Sequence, residues 1–246
     1  MSSVLVSGRA RKALVLCAGL MAAGSLRAAT LYWDANTTTT GAGASPTGTW
    51  DTGTGAVTSW IPNSNGTGTI QAWAAGDTAY FSSGAASAGT SYTVTVVGTV
   101  SVGGLTVAEG KPTFSGGTIS FTSGSTLLVD SGATTTINSA ISGSLSSIAN
   151  YGTLSLGNAV SLTSTSMTLD GTLDLAAGTT KFSSITVTGN SVIDFAGSSA
   201  ATLDLSSLVV NSGATLTIND WTNGSDVFYS SGQPSAATLG RINFSG

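Results

Sequence analysis

From Asp170 to Phe195 the chain reads D-G-T-L-D-L-A-A-G-T-T-K-F-S-S-I-T-V-T-G-N-S-V-I-D-F. Thr172-Leu173-Asp174-Leu175 alternates polar with apolar residues, a small-residue turn follows, and Ile185-Thr186-Val187 alternates again. Gly189-Asn190 then leads into Ser191-Val192-Ile193-Asp194-Phe195, so the unit restarts about twenty residues on, the sign of a coil in a solenoid. Alternation at period two sends every second side chain to one face of a strand, while Gly and Asn supply the positive backbone angles of tight corners. With Leu173 and Ile193 as equivalent positions, the inward residues are expected at Val102, Ile119, Ile137, Leu154, Leu173, Ile193 and Leu216. Their intervals are 17, 18, 17, 19, 20 and 23 residues. Helical repeats hold their length more strictly and need apolar residues at spacings of three and four, which these segments lack. A wound β-coil accepts insertions at its corners, because only the strand registers must match the coil below. The pattern predicts an all-β fold, a right-handed parallel β-helix (β-solenoid) of about seven coils.

Two segments depart from this rhythm and set the expected domain limits. Residues 1–28 read as an export signal: Arg9, Arg11 and Lys12 form a positive start, an apolar stretch runs from Ala13 to Gly24, and Leu26-Arg27-Ala28 or Ala29 offers small residues for cleavage. That stretch is short for a membrane span, and no later apolar run in the mature chain approaches one. Cys17 follows Leu16, where a lipoprotein signal wants a small residue, and the arginines are not adjacent as a twin-arginine signal requires. Residues 29–92 hold Trp33, Trp50, Trp60 and Trp73 among small-residue turns. The first coil of a solenoid exposes an apolar cross-section and open strand edges, and bulky aromatics in an irregular antiparallel segment would cover both. This stretch is expected to be an aromatic-rich N-terminal cap, in preference to a sugar-stacking platform. The solenoid is expected over 93–220, with a C-terminal cap or truncated linker over 221–246.

Composition narrows the function. Beyond the export signal no cysteine remains, so stability must come from a continuous core and backbone ladders. Lys111, Lys181 and Arg241 face eleven carboxylates, a formal charge of −8, which excludes nucleic acid as a partner. Only 7% of the residues are charged, and Thr, Ser, Gly and Asn must therefore cover the surface. Low charge with positive mean hydropathy also argues for a folded chain over a disordered one.

The opening Thr30 to Asp51, T-L-Y-W-D-A-N-T-T-T-T-G-A-G-A-S-P-T-G-T-W-D, is followed by Gly76-Asp77-Thr78-Ala79-Tyr80-Phe81 and by Tyr92 to Val96 leading to Val102-Gly103-Gly104-Leu105-Thr106-Val107. Together these resemble the start of exported bacterial proteins with autotransporter-associated β-strand repeats. Ala214 to Thr222 and Leu239 to Gly246 resemble the segment that precedes a PEP-CTERM sorting tail in such relatives. The family's longer repeat is only faintly present around Gly152 to Asn158, and neither a translocating barrel nor the tail itself is seen in the sequence. The resemblance implies a secreted or surface-displayed β-helical passenger and no known reaction. A stiff, weakly charged rod with a Thr, Ser and Asn surface is expected to be non-enzymatic and adhesin-like, in contact with extracellular polysaccharide or neighbouring cells.

Candidate chemistry is sparse. The chain has no histidine, which removes histidine general bases and most zinc sites. Gly-rich pieces at Val102-Gly103-Gly104 and Ser115-Gly116-Gly117 follow no phosphate-binding spacing and read as turns. No cofactor is expected. Asp174 and Asp194 occupy equivalent places in successive coils, and Asp204, in Leu203-Asp204-Leu205, could lie nearby. Each lies between apolar residues of an alternating strand and points outward, so a solvated face is the favoured reading. The alternatives are calcium ligation and the acid and base pair of a carbohydrate-active enzyme. A lyase would also want a cation, and between Lys111 and Arg241 the sequence offers Lys181 alone.

Overall fold

The computed structural model describes residues 28–36, 39–44, 46–52, 59–82, 89–195 and 200–245. All but the last residue of the expected export signal lies outside the described residues. The chain begins with β1 (Thr30–Trp33), β2 (Gly48–Trp50), β3 (Trp60–Ile61), β4 (Thr78–Phe81) and β5 (Ser91–Val96). It continues with β6 (Thr99–Val102), β7 (Gly104–Val107), β8 (Lys111–Ser115), β9 (Thr118–Val129) and β10 (Thr134–Ile137). Then come β11 (Ala140–Asn150), β12 (Thr153–Leu156), β13 (Ser161–Leu169), β14 (Thr172–Leu175) and β15 (Gly178–Val187). The last elements are β16 (Ser191–Asp194), β17 (Ala201–Val210), β18 (Leu216–Asn219), β19 (Val227–Ser230), a single helical turn α1 (Ala236–Leu239) and β20 (Ile242–Ser245).

Long and short strands alternate along the chain and sort into two sheets. The long ones stack in the order β19-β17-β15-β13-β11-β9-β7-β4-β1-β3, with β6 also on β9, and the short ones in the order β2-β5-β8-β10-β12-β14-β16-β18-β20. Each strand therefore bonds to the strands about one coil before and after it, which makes the protein a parallel β-solenoid of about seven turns. Among the described strands the pairing is parallel throughout except between β3 and β1. The antiparallel segment expected over 29–92 is thus limited to that pair. β1 and β4 already lie in register with β7, and β2 with β5, so the ladder extends into the aromatic region.

Each long strand is two straight pieces joined at a corner. In β17, Leu203 and Leu205 point inward, two exposed serines follow, and Leu208 and Val210 point inward again on the opposite parity. β15 changes parity in the same way between Phe182 and Ile185, and β13 between Leu162 and Thr165. In the first coils the two pieces are still separate strands, β6 pairing with one half of β9 and β7 with the other. A long strand and a short strand thus enclose the core from three sides. Hydroxyls serve the inner side of the corner: Thr165 Oγ1 donates to the Leu145 carbonyl at 2.6 Å, and Ser125 Oγ to the Val102 carbonyl at 3.2 Å. Both side chains are buried, so each hydroxyl satisfies a demand that water cannot reach.

The core consists of columns along the axis. Leu105, Leu127, Ile148, Met167, Ile185 and Leu208 follow one another in register on one side, and Leu154, Leu173, Ile193 and Ile218 on another. All seven residues expected to point inward are buried, but they do not form one column. Val102 and Ile119 belong to the long-strand sheet, Ile137 is in register with Leu156, and Leu216 with Ser191. Period two leaves two inward positions per short strand, two residues apart, and alternation alone does not say which of them match between coils.

The tryptophans close the N-terminal end. Trp60 lies 5.1 Å from Trp33 and 4.7 Å from Trp73, and Trp50 lies 4.9 Å from Trp73, between ring centroids. Phe81 continues the cluster to Phe114 at 4.8 Å, which joins it to the solenoid core. All four indoles are buried, which leaves none of their ring faces for a sugar to stack on.

Candidate functional site

Outward residues form columns as regular as the inward ones. On the short-strand sheet one column runs Thr134, Thr153, Thr172, Val192, Thr217 and Asn243, and the next Thr113, Thr136, Ser155, Asp174, Asp194, Asn219 and Ser245. Neighbouring strands are about 4.8 Å apart, so side chains in a column touch one another. Ser155 Oγ donates to Asp174 Oδ2 at 2.6 Å, and Thr215 Oγ1 to Asn190 Oδ1 at 2.9 Å. Apart from Val192, these two columns carry hydroxyls and amides interrupted by one pair of carboxylates.

Asp174 and Asp194 are direct register partners, as the sequence pattern predicts. Both are half-buried, and with Asp220 they line a shallow groove together with Ser155, Gly157 and Ala176. Asp220 reaches the groove through a positive φ of 53°, a conformation that Asp tolerates better than most residues. Burial raises the Asp174 pKa above the ordinary aspartate value and the Asp194 charge raises it further, while the Ser155 hydrogen bond lowers it. Among the described residues no three His, Cys, Asp or Glu side chains come close enough together to hold a metal ion.

Asp204 does not join the other two. It sits in β17 of the long-strand sheet, in register with Lys181, whose Nζ lies 2.7 Å from Asp204 Oδ2. The one cation that the sequence offered to a catalytic carboxylate pair therefore serves a different face. Alternation placed Asp204 correctly as outward, but gave no sign of which of the two sheets carries it.

One surface feature escaped the sequence reading. Tyr32 and Tyr80 are register partners on the outer face of the long-strand sheet, 5.0 Å apart between ring centroids, next to Thr106. Each belongs to a strand whose other aromatic points inward, Trp33 or Phe81, and in sequence the two kinds look alike. Burial raises the Tyr80 pKa, with Asp130, Tyr32 and Glu109 adding to the shift. A further groove, lined by Ser144, Ser146, Ser161, Thr163 and Ser164, follows the corner between β11 and β13.

Over 201 residues, 80% of the chain, the sequence is 30% identical to the adhesin BmaC autotransporter of Brucella suis biovar 1 (strain 1330). The chain is similar to part of an autotransporter adhesin. The matched stretch covers 5% of that relative's length. No family model matches the chain, and no solved structure matches it.

Proposed function

We propose that the protein is a non-enzymatic, exported β-helical rod that acts as an adhesin-like passenger at the cell surface or outside the cell. The observation that carries this reading is the likeness to an autotransporter adhesin across 80% of the chain. The surface chemistry agrees with it. Stacked Thr, Ser and Asn side chains offer many weak hydrogen bonds on a stiff face, which suits multivalent contact with hydroxyl-rich polysaccharide. The low charge favours such contact over ion-driven binding. The test is adhesion of the purified protein to bacterial cells and to immobilised polysaccharide. Retention is expected to fall at least several-fold when Thr134, Thr153 and Thr172 are all replaced by Ala, with melting temperature nearly unchanged. Unchanged retention in that triple variant would count against the hydroxyl face as the contact surface.

A second reading has one observation in its favour, the Asp174–Asp194 pair with the Asp174 carboxyl shifted upward. A raised carboxyl beside a second carboxylate is the arrangement of a general acid and its partner in glycoside cleavage. The adhesin reading expects no release of reducing ends or unsaturated products from neutral or acidic polysaccharides. Turnover that disappears in Asp174→Asn and Asp194→Asn would replace it with a carbohydrate-active enzyme.

A further inference from the structure

We infer that Ala28–Ala29 is the processing point of the chain and that the new amino terminus forms an ion pair with the buried Asp77. Asp77 is buried, and its two carboxylate oxygens accept from the Ala29 nitrogen at 2.8 Å and the Ala74 nitrogen at 2.9 Å. From Ala29 onward the chain is in the ladder: its carbonyl accepts from the Thr78 nitrogen at 2.7 Å, and Thr30 is in register with Thr78. Ala28, one residue earlier, is exposed. The sequence before it carries the positive start, the apolar stretch and the small residues of an export signal. Cleavage after Ala29 would remove the nitrogen that Asp77 holds. Cleavage between Ala28 and Ala29 leaves it in place and turns it into an ammonium.

A peptidase of the export route supplies the reaction, with water as co-reactant. Water adds across the Ala28–Ala29 amide, the C–N bond breaks, the Ala28 carbonyl leaves as a carboxylate on the released leader, and Ala29 keeps an ammonium. A buried carboxylate held only by neutral N–H groups is poorly compensated, and an ammonium in hydrogen-bonding contact supplies the missing charge. Among the described residues Asp77 has no other cationic partner, since the salt bridge there joins Lys181 and Asp204. The same clasp recurs near the other end. Asp226, also buried, accepts from the Ala201 nitrogen at 2.9 Å and the Thr222 nitrogen at 2.8 Å, one residue before the Thr202–Val227 register pair. Ala201 is internal and stays an amide, so Asp226 is a built-in control.

The inference does not depend on what the rod adheres to. The full-length chain is exported from a bacterial host and the mature protein analysed by intact mass and amino-terminal sequencing. A free amino terminus at Ala29 is expected; a start at any other residue, or a retained leader, overturns the proposal. The α-amine is then labelled with an amine-reactive reagent, with the exposed Lys111 as the internal reference. Folded mature protein should react about tenfold more slowly at Ala29 than the same protein in urea, the order of effect that a close opposite charge exerts. Asp77→Asn should remove that protection and Asp226→Asn should leave it intact. Equal labelling of folded and unfolded parent protein overturns the ion pair even if Asp77→Asn does not fold.

Discussion

Burial in its groove and the like charge of Asp194 both raise the Asp174 pKa, and the Ser155 hydroxyl only partly offsets them. An acid whose folded pKa lies above its unfolded value binds its proton more tightly in the folded state. Stability from this group is therefore full below the ordinary aspartate value of 3.8 and is lost as the pH rises through the folded value. Asp174→Asn keeps an acceptor for Ser155 and removes the charge. It is expected to stabilise the protein at pH 7 by on the order of 0.5 kcal/mol, read as a slightly higher melting temperature. Thermal melts at descending pH should show the two proteins converging below about pH 4. A constant difference across that range would mean that ionisation is not the cause. A reader of T-L-D-L and V-I-D-F can place both aspartates outward and one coil apart, because each lies one residue beyond a matched inward position. The arrival of Asp220 beside them depends on the turn after β18, which alternation does not describe.

At the scale of the strand, the corner inside each long strand separates what was legible from what was not. The short strands β12, β14 and β16 keep one parity from end to end, and their alternation is plain in sequence. β13, β15 and β17 switch parity at Ser or Thr residues, so each looks like two weak strands with a polar gap. Placing Val102 and Ile119 in the short-strand column is the result of that ambiguity. The corner is held by specific contacts, and they can be tested. Thr165→Val keeps the shape but leaves the Leu145 carbonyl without its buried donor. The expected loss is on the order of 1 kcal/mol, read as a lower urea midpoint with an unchanged slope. Gly171 marks the turn into β14, where an added Cβ would meet the Gly152 carbonyl oxygen at 2.1 Å. Backbone in the coil below cannot move aside, so Gly171→Ala should cost about 1–3 kcal/mol in the same assay.

Across the whole molecule, stability is a sum of coil-to-coil contacts, because each coil meets only its neighbours. The ends differ: four indoles are buried at the N-terminal end, whereas Val227, Tyr229, Leu239 and Phe244 are exposed in and beside the last strands. Single core losses are local, and Leu173→Ala, which opens the column between Leu154 and Ile193, should cost about 2–5 kcal/mol without changing the fold. Removing a whole coil tests the architecture itself. Thr153 and Thr172 are register partners, so deleting residues 153–171 joins Gly152 directly to Thr172 and lets β14 take the place of β12 on β10. The same deletion lets β15 stack on β11, with Ile185 moving to the place of Met167 above Ile148. The shortened chain should keep a β-rich circular dichroism spectrum and cooperative melting at a lower temperature. Deleting residues 153–172 instead shifts β14 by one position, which turns Leu173 and Leu175 to solvent and Asp174 into the core. That variant should fail to melt cooperatively. If both deletions behaved alike, register along the axis would not be what holds the solenoid together.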